Sequence, residues 1–226
     1  MADTIITVQG EHSAWYPAER ATAFASVHAW GDSRDEVFGR AVASADAVRS
    51  LIDTIHDAKN GPVTWWSSDS VRVWSERPWN NEGKQLDPVF HAAVDFSVKF
   101  KDFAALAEWV ESVAAIEDTS VGGITWDLTE STRTSVTTEV RSRAVKDAVA
   151  KASVFAQSIG LGSVTATALA DPGMLGDPAG GGVAPAPPMY RTAMKASADF
   201  GGAPQLALKP EEIAVSAVVD ARFIAR

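Results

Sequence analysis

From Val89 to Lys101 apolar and polar side chains alternate along the chain. Phe90, Ala92, Val94, Phe96, Val98 and Phe100 fall on one side of an extended backbone, and His91, Asp95, Ser97, Lys99 and Lys101 fall on the other. That period of two suits a strand with one buried and one wetted face and does not suit a helix. A second alternating run, Glu19 to Trp30, sets Ala21, Ala23, Ala25, Val27 and Ala29 on one face. Side chains that small let a helix or another sheet approach closely, so something is expected to lie against them.

Other segments repeat at helical spacing. Ser33 with Glu36 three residues on forms a capping box, followed by Val37, Ala41, Ala45, Val48, Ile52 and Ile55. Asn60-Gly61-Pro62 ends that helix, and Val63 to Trp74 then reads as a strand with Val63, Trp65, Val71 and Val73 on one face. Glu76 to Asp87 suits a hairpin loop. Asp102 is placed to cap a second helix whose stripe is Phe103, Leu106, Trp109, Val110 and Val113. A short strand, Ser120 to Leu128, leads to a third helix from about Thr134 to Ile159. Its stripe is Val140, Ala144, Ala148, Ala152, Phe155 and Ile159, with Gly160 at the position that favours a left-handed stop. Leu161 to Leu169 and Glu212 to Ile224 are the closing strands. This order predicts an α+β fold, a mostly antiparallel curved sheet with three helices packed on one face.

Residues 171–204 differ in composition, with 7 of the 16 glycines and 6 of the 11 prolines. Such a stretch joins neither a helix nor a central strand. It reads as an insertion that is either a linker or an arm docking on a neighbouring subunit, with Met174, Leu175, Met189, Tyr190, Met194 and Phe200 as apolar anchors.

Composition narrows the function. Lys plus Arg is 20 and Asp plus Glu is 29, a net charge of −9, which lacks the basic footprint that nucleic acid or anionic lipid requires. With no cysteine there is no disulfide, thiol nucleophile or cysteine metal site. His12, His28, His56 and His91 show no metal-ligand spacing, and no nucleophile elbow or phosphate-binding loop is present. Gly160-Leu161-Gly162 lies after a helix and before a strand, the reverse of a dinucleotide loop. Catalytic residues, cofactors and metals are therefore expected to be none. The opening residues carry no export signal and no apolar run is long enough to span a bilayer, so a cytoplasmic chain without membrane insertion is expected.

Tryptophan is the unusual component: there are eight, four of them at Trp65, Trp66, Trp74 and Trp79. Alternation puts Trp65 with the valines and Trp66 and Trp74 on the opposite face beside Arg72. Aromatic side chains next to an arginine on a polar face are the composition of a protein contact. Such a face is otherwise covered by another element of the same fold, or cradles a ligand.

The chain resembles the SIMPL-domain family, bacterial proteins of unknown function. The resemblance rests on the opening strand Ile5-Ile6-Thr7-Val8-Gln9-Gly10-Glu11 with Pro17-Ala18-Glu19-Arg20-Ala21 after it, and on the alanine-rich capped helix from Ser33. It rests also on Lys151-Ala152-Ser153-Val154-Phe155-Ala156 leading to Ile159-Gly160-Leu161, and on the closing strand from Pro210 to Phe223. It implies an α+β fold over 1–226 as a single SIMPL-like domain with the insertion at 171–204. It also implies ring-like or barrel-like homo-oligomers in some members, envelope or stress physiology, and no transferable catalytic residues. The expected function is a non-enzymatic, self-assembling scaffold or binding protein, a homo-oligomer with contacts at Trp66, Arg72, Trp74, Trp79, Met189, Tyr190 and Phe200. The alternative is a small-molecule binding module using Trp66, Trp74 and Trp79.

Overall fold

The fold comes from a computed structural model that describes residues 3–175 and 208–226. Within these, the chain gathers into two compact units. One takes Ala18–Asp127 with 208–211; the other takes 3–17, 128–175 and 212–226.

The strand at Thr4–Pro17 (β1) belongs to the second unit and that at Arg20–Gly31 (β2) to the first. In the first unit, β2 is followed by a helix at Arg34–Ile55 (α1), strands at Val63–Ser68 (β3), Arg72–Glu76 (β4) and Val89–Phe100 (β5), a helix at Phe103–Ala114 (α2) and a strand at Thr119–Asp127 (β6). The antiparallel sheet runs β3-β5-β2-β6, with β4 also pairing β5. Two helical crossovers, each joining strands that flank a third, make this a double split β-α-β arrangement of the ferredoxin-like kind. The expected alternations hold. Ala21, Ala23, Ala25, Val27 and Ala29 are buried beneath the helices, together with Ala92, Val94, Phe96, Val98 and Phe100 of β5. Phe96 and Phe100 are almost completely enclosed, and each such side chain stabilises the fold by about 2–3 kcal/mol. Trp109 of α2 closes on Phe100 with ring centroids 5.5 Å apart.

The second unit is assembled from distant pieces. A helix at Glu130–Ser158 (α3) lies on a three-stranded antiparallel sheet ordered β1-β8-β7, in which Val164–Ala170 is β7 and Glu212–Ala225 is β8. Ile6, Val8, Ala221, Phe223 and Ala225 meet Ala148, Ala152 and Ala156 of α3. Gly10 marks the point of closest approach: a Cβ there would lie 2.1 Å from the Ala144 carbonyl oxygen. Asp147 accepts the Glu11 backbone N–H at 2.9 Å, while Lys151 donates to the Gln9 carbonyl at 3.1 Å. Lys151, bonded to Asp147, holds that carboxyl below its ordinary range, and the Glu11 amide adds to the effect. Two helix side chains thus fasten the strand on either side of its glycine.

The α+β fold, the mostly antiparallel strands and the three helices agree with expectation; the strands expected in one sheet form two. Three local details also differ. Ser33 makes no side-chain cap bond, whereas Asp102 accepts from Ala104 and Ala105 N–H at 2.9 and 3.2 Å. The buried stripe of α3 runs Val136, Val140, Ala144, Ala148, Ala152, Ala156; Phe155 and Ile159 are exposed. A stripe recurring every fourth residue rotates about 40° per step, which carries it past 155 to 156. The third detail concerns the tryptophans and belongs to the site.

Candidate functional site

In the first unit α1 and α2 cover one face of the sheet, and among its described residues no element covers the other. Register decides which side chains share that open face. On β5, Val98 and Phe100 point to the core, so their neighbours Ser97 and Lys99 point outward. On β3 the register shifts between Val63 and Trp65: Val63 opposes Phe100, Trp65 opposes Lys99 and Trp66 opposes Val98. The extra residue, Thr64, is a bulge that reverses the alternation beyond it. Trp65 therefore stands on the open face, 49% exposed, and Trp66 packs against the core with Val71 and Val73, the reverse of the expected assignment.

Past the break between β3 and β4, Val73 opposes Ala92 on the core side and Trp74 opposes His91 on the open side. Trp30 pairs with that same His91 from β2, and Phe24 lies beside Ser97. Phe24, Trp30, Trp65 and Trp74 are each more than two-fifths exposed. Among the residues of the paired strands the charges on this face are balanced: Arg20, Arg72 and Lys99 stand with Glu76, Asp95 and Asp127, and Lys101 follows just past the end of β5. Arg72 and Asp95 form an ion pair across β4 and β5.

At the centre three rings stack, those of His28, which opposes Ala93 in the ladder, His91 and Trp74. Trp74 lies 5.1 Å from His91 and 5.7 Å from His28, and the two imidazoles are 5.4 Å apart, with all planes within 18° of parallel. His28 Nε2 is 3.2 Å from His91 Nδ1, so one of these nitrogens donates and the other accepts. The far nitrogen of His91, Nε2, is buried without a hydrogen bond and lies 3.4 Å from Glu76 Oε1.

The expected contact residues divide. Arg72 and Trp74 share the open face. Trp66 does not. Trp79, 66% exposed, sits in the loop between β4 and β5, where it bridges to Gln85. The trio Trp66, Trp74 and Trp79 is not brought together, since Trp66 and Trp74 lie on opposite faces and about 23 Å apart along β5. Met189, Tyr190 and Phe200 lie outside the described residues. Phe24, Trp30 and the two histidines are what sequence reading missed. Their alternation on β2 and β5 put them on polar faces; only the pairing of β2 with β5 shows that the faces are one. Among the described residues no three His, Cys, Asp or Glu converge as metal ligands, and no helix is long and apolar enough to cross a membrane.

A split β-α-β sheet whose one face, among the described residues of its unit, is left uncovered and lined by aromatics, in one chain with a helix-covered three-stranded sheet, defines a class of α+β protein. More particularly, residues 6–223 match the model of the SIMPL family, described as a protein of unknown function (DUF541), and the chain belongs to that family. No curated protein matches it.

Proposed function

We propose that the chain is a non-enzymatic binding protein that assembles with copies of itself, and that the open face of the five-stranded sheet is the contact. One observation carries this reading: Phe24, Trp30, Trp65 and Trp74 are exposed together on a face whose paired strands carry charges that sum to zero, in a chain of net charge −9. Apolar patches of this kind mark interaction surfaces, and aromatic and arginine side chains concentrate at their centres. A second copy is the occupant the charges favour. Two copies repel overall, and a neutral, mixed-sign surface is where that repulsion is least. Scaffolding follows from self-contact, and the cellular setting is the envelope or stress physiology that the family resemblance implies.

Sedimentation velocity on the purified chain tests the reading. Assembly that grows with concentration is expected. The double substitution Trp65→Thr, Trp74→Thr replaces exposed side chains with a good strand former and is expected to weaken assembly by about tenfold or more, the scale of an interface hot spot. A chain that stays monomeric at high concentration, or a double variant that assembles as the parent does, removes the proposal.

A further inference from the structure

We propose that His28, His91 and Trp74 form a proton-responsive element in the open face, loosening self-association as the surroundings turn acidic. The coupling to self-association rests on the contact proposed above; the response of the stack itself does not.

The His28–His91 bond at 3.2 Å exists only while one of the two facing nitrogens lacks a proton. When both rings are charged both nitrogens donate, the accepting lone pair is gone, and two cations stand 5.4 Å apart between centroids. The groups facing the pair are few. From β4 come Glu76 and Arg72, and from β5 comes Asp95, already paired with Arg72. On β2 the only other charged side chain is Arg20, at the strand's far end. Asp118, whose carbonyl accepts the His28 backbone N–H, is paired with Arg40. Among the described residues Glu76 is thus the one carboxylate near the pair that is open to an added charge, and it serves His91. A proton on His28 finds no counter-ion among the described residues, so the face gains positive charge in both copies at once. Imidazole is the side chain that changes charge within roughly pH 5–8. Trp74 reports the event because its indole stacks on both rings, 5.1 and 5.7 Å away.

The test uses the full chain between about pH 8 and pH 5, the imidazole range, with two readouts. Trp74 emission is isolated by subtracting the Trp74→Phe variant, and assembly is followed by sedimentation. Expected are a pH-dependent change in Trp74 emission and about a tenfold weakening of assembly on acidification, the size of a lost charge complementarity. The double variant His28→Gln, His91→Asn keeps polar groups but takes up no proton, and is expected to lose both responses. Glu76→Gln changes an exposed side chain, removes the carboxylate 3.4 Å from His91 and is expected to deepen the loss of assembly on acidification. Emission that ignores pH in the parent, or persists unchanged in the double variant, overturns the proposal. A chain monomeric at every pH overturns the contact and its coupling, while the emission readout still decides whether the stack responds.

Discussion

Gly10 shows how much one residue can carry. Its missing side chain admits the α3 backbone: a methyl there would meet the Ala144 carbonyl at 2.1 Å and Ala148 Cβ at 2.7 Å. Neither can step aside without moving the helix that Asp147 and Lys151 tie to the same strand. Gly10→Ala is expected to destabilise the fold by about 3 kcal/mol, as overpacking against fixed atoms does. Gly39, exposed on α1 with nothing within 4 Å, is the control: Gly39→Ala is expected to be neutral or to stabilise by up to about 1 kcal/mol. Urea denaturation of both variants measures the difference, and equal midpoints would mean that α3 is free to shift. In the sequence the two glycines look alike. The same limit hid His28 and His91. Each was legible as a polar-face histidine, but their hydrogen bond depends on a ladder that sets His28 opposite Ala93, and no local pattern encodes that register.

Elements divide by how local their causes are. Helix existence followed from apolar spacing, and the N-terminus of α2 from Asp102, whose carboxylate reaches two N–H groups on its own turn. Ser33 has the same sequence credentials and makes no such bond. Asp102→Ala is therefore expected to cost about 1 kcal/mol, the usual value of a formed cap, and Ser33→Ala only a few tenths. Thermal melts of the two variants check this; equal losses would show that the Ser33 hydroxyl caps in solution. Faces proved harder to read than elements. The Thr64 bulge reversed Trp65 and Trp66, because one extra residue flips the side chains that follow it in the same strand, while Val73 beyond the break keeps the core side. On α3 a stripe recurring every fourth residue left Phe155 and Ile159 outside although their spacing is helical. A periodicity states that one face is buried; the neighbour across the gap states which residues end on it.

At the scale of the whole molecule the two units are built from the chain in different ways. The first is nearly continuous, with both helices and all five strands of its sheet between Ala18 and Asp127. The second pairs the ends of the chain, since Thr4 opposes Ala225. A fragment of residues 18–127 is expected to fold alone and unfold cooperatively, with near-ultraviolet circular dichroism from its packed tryptophans; a featureless spectrum would show that it needs the rest of the chain. Long-range pairing such as β1 with β8 carries a large loop-closure cost, so it is expected to form late. By itself the sequence determined the α+β class, the antiparallel habit, the alanine faces that helices cover and the family, because side-chain period and size act over a few residues. Tertiary structure decided the division into two sheets, the turning of Trp65 outward, and the meeting of His28, His91 and Trp74. Those outcomes depend on strand register, a property of pairs of segments dozens of residues apart and of neither segment alone.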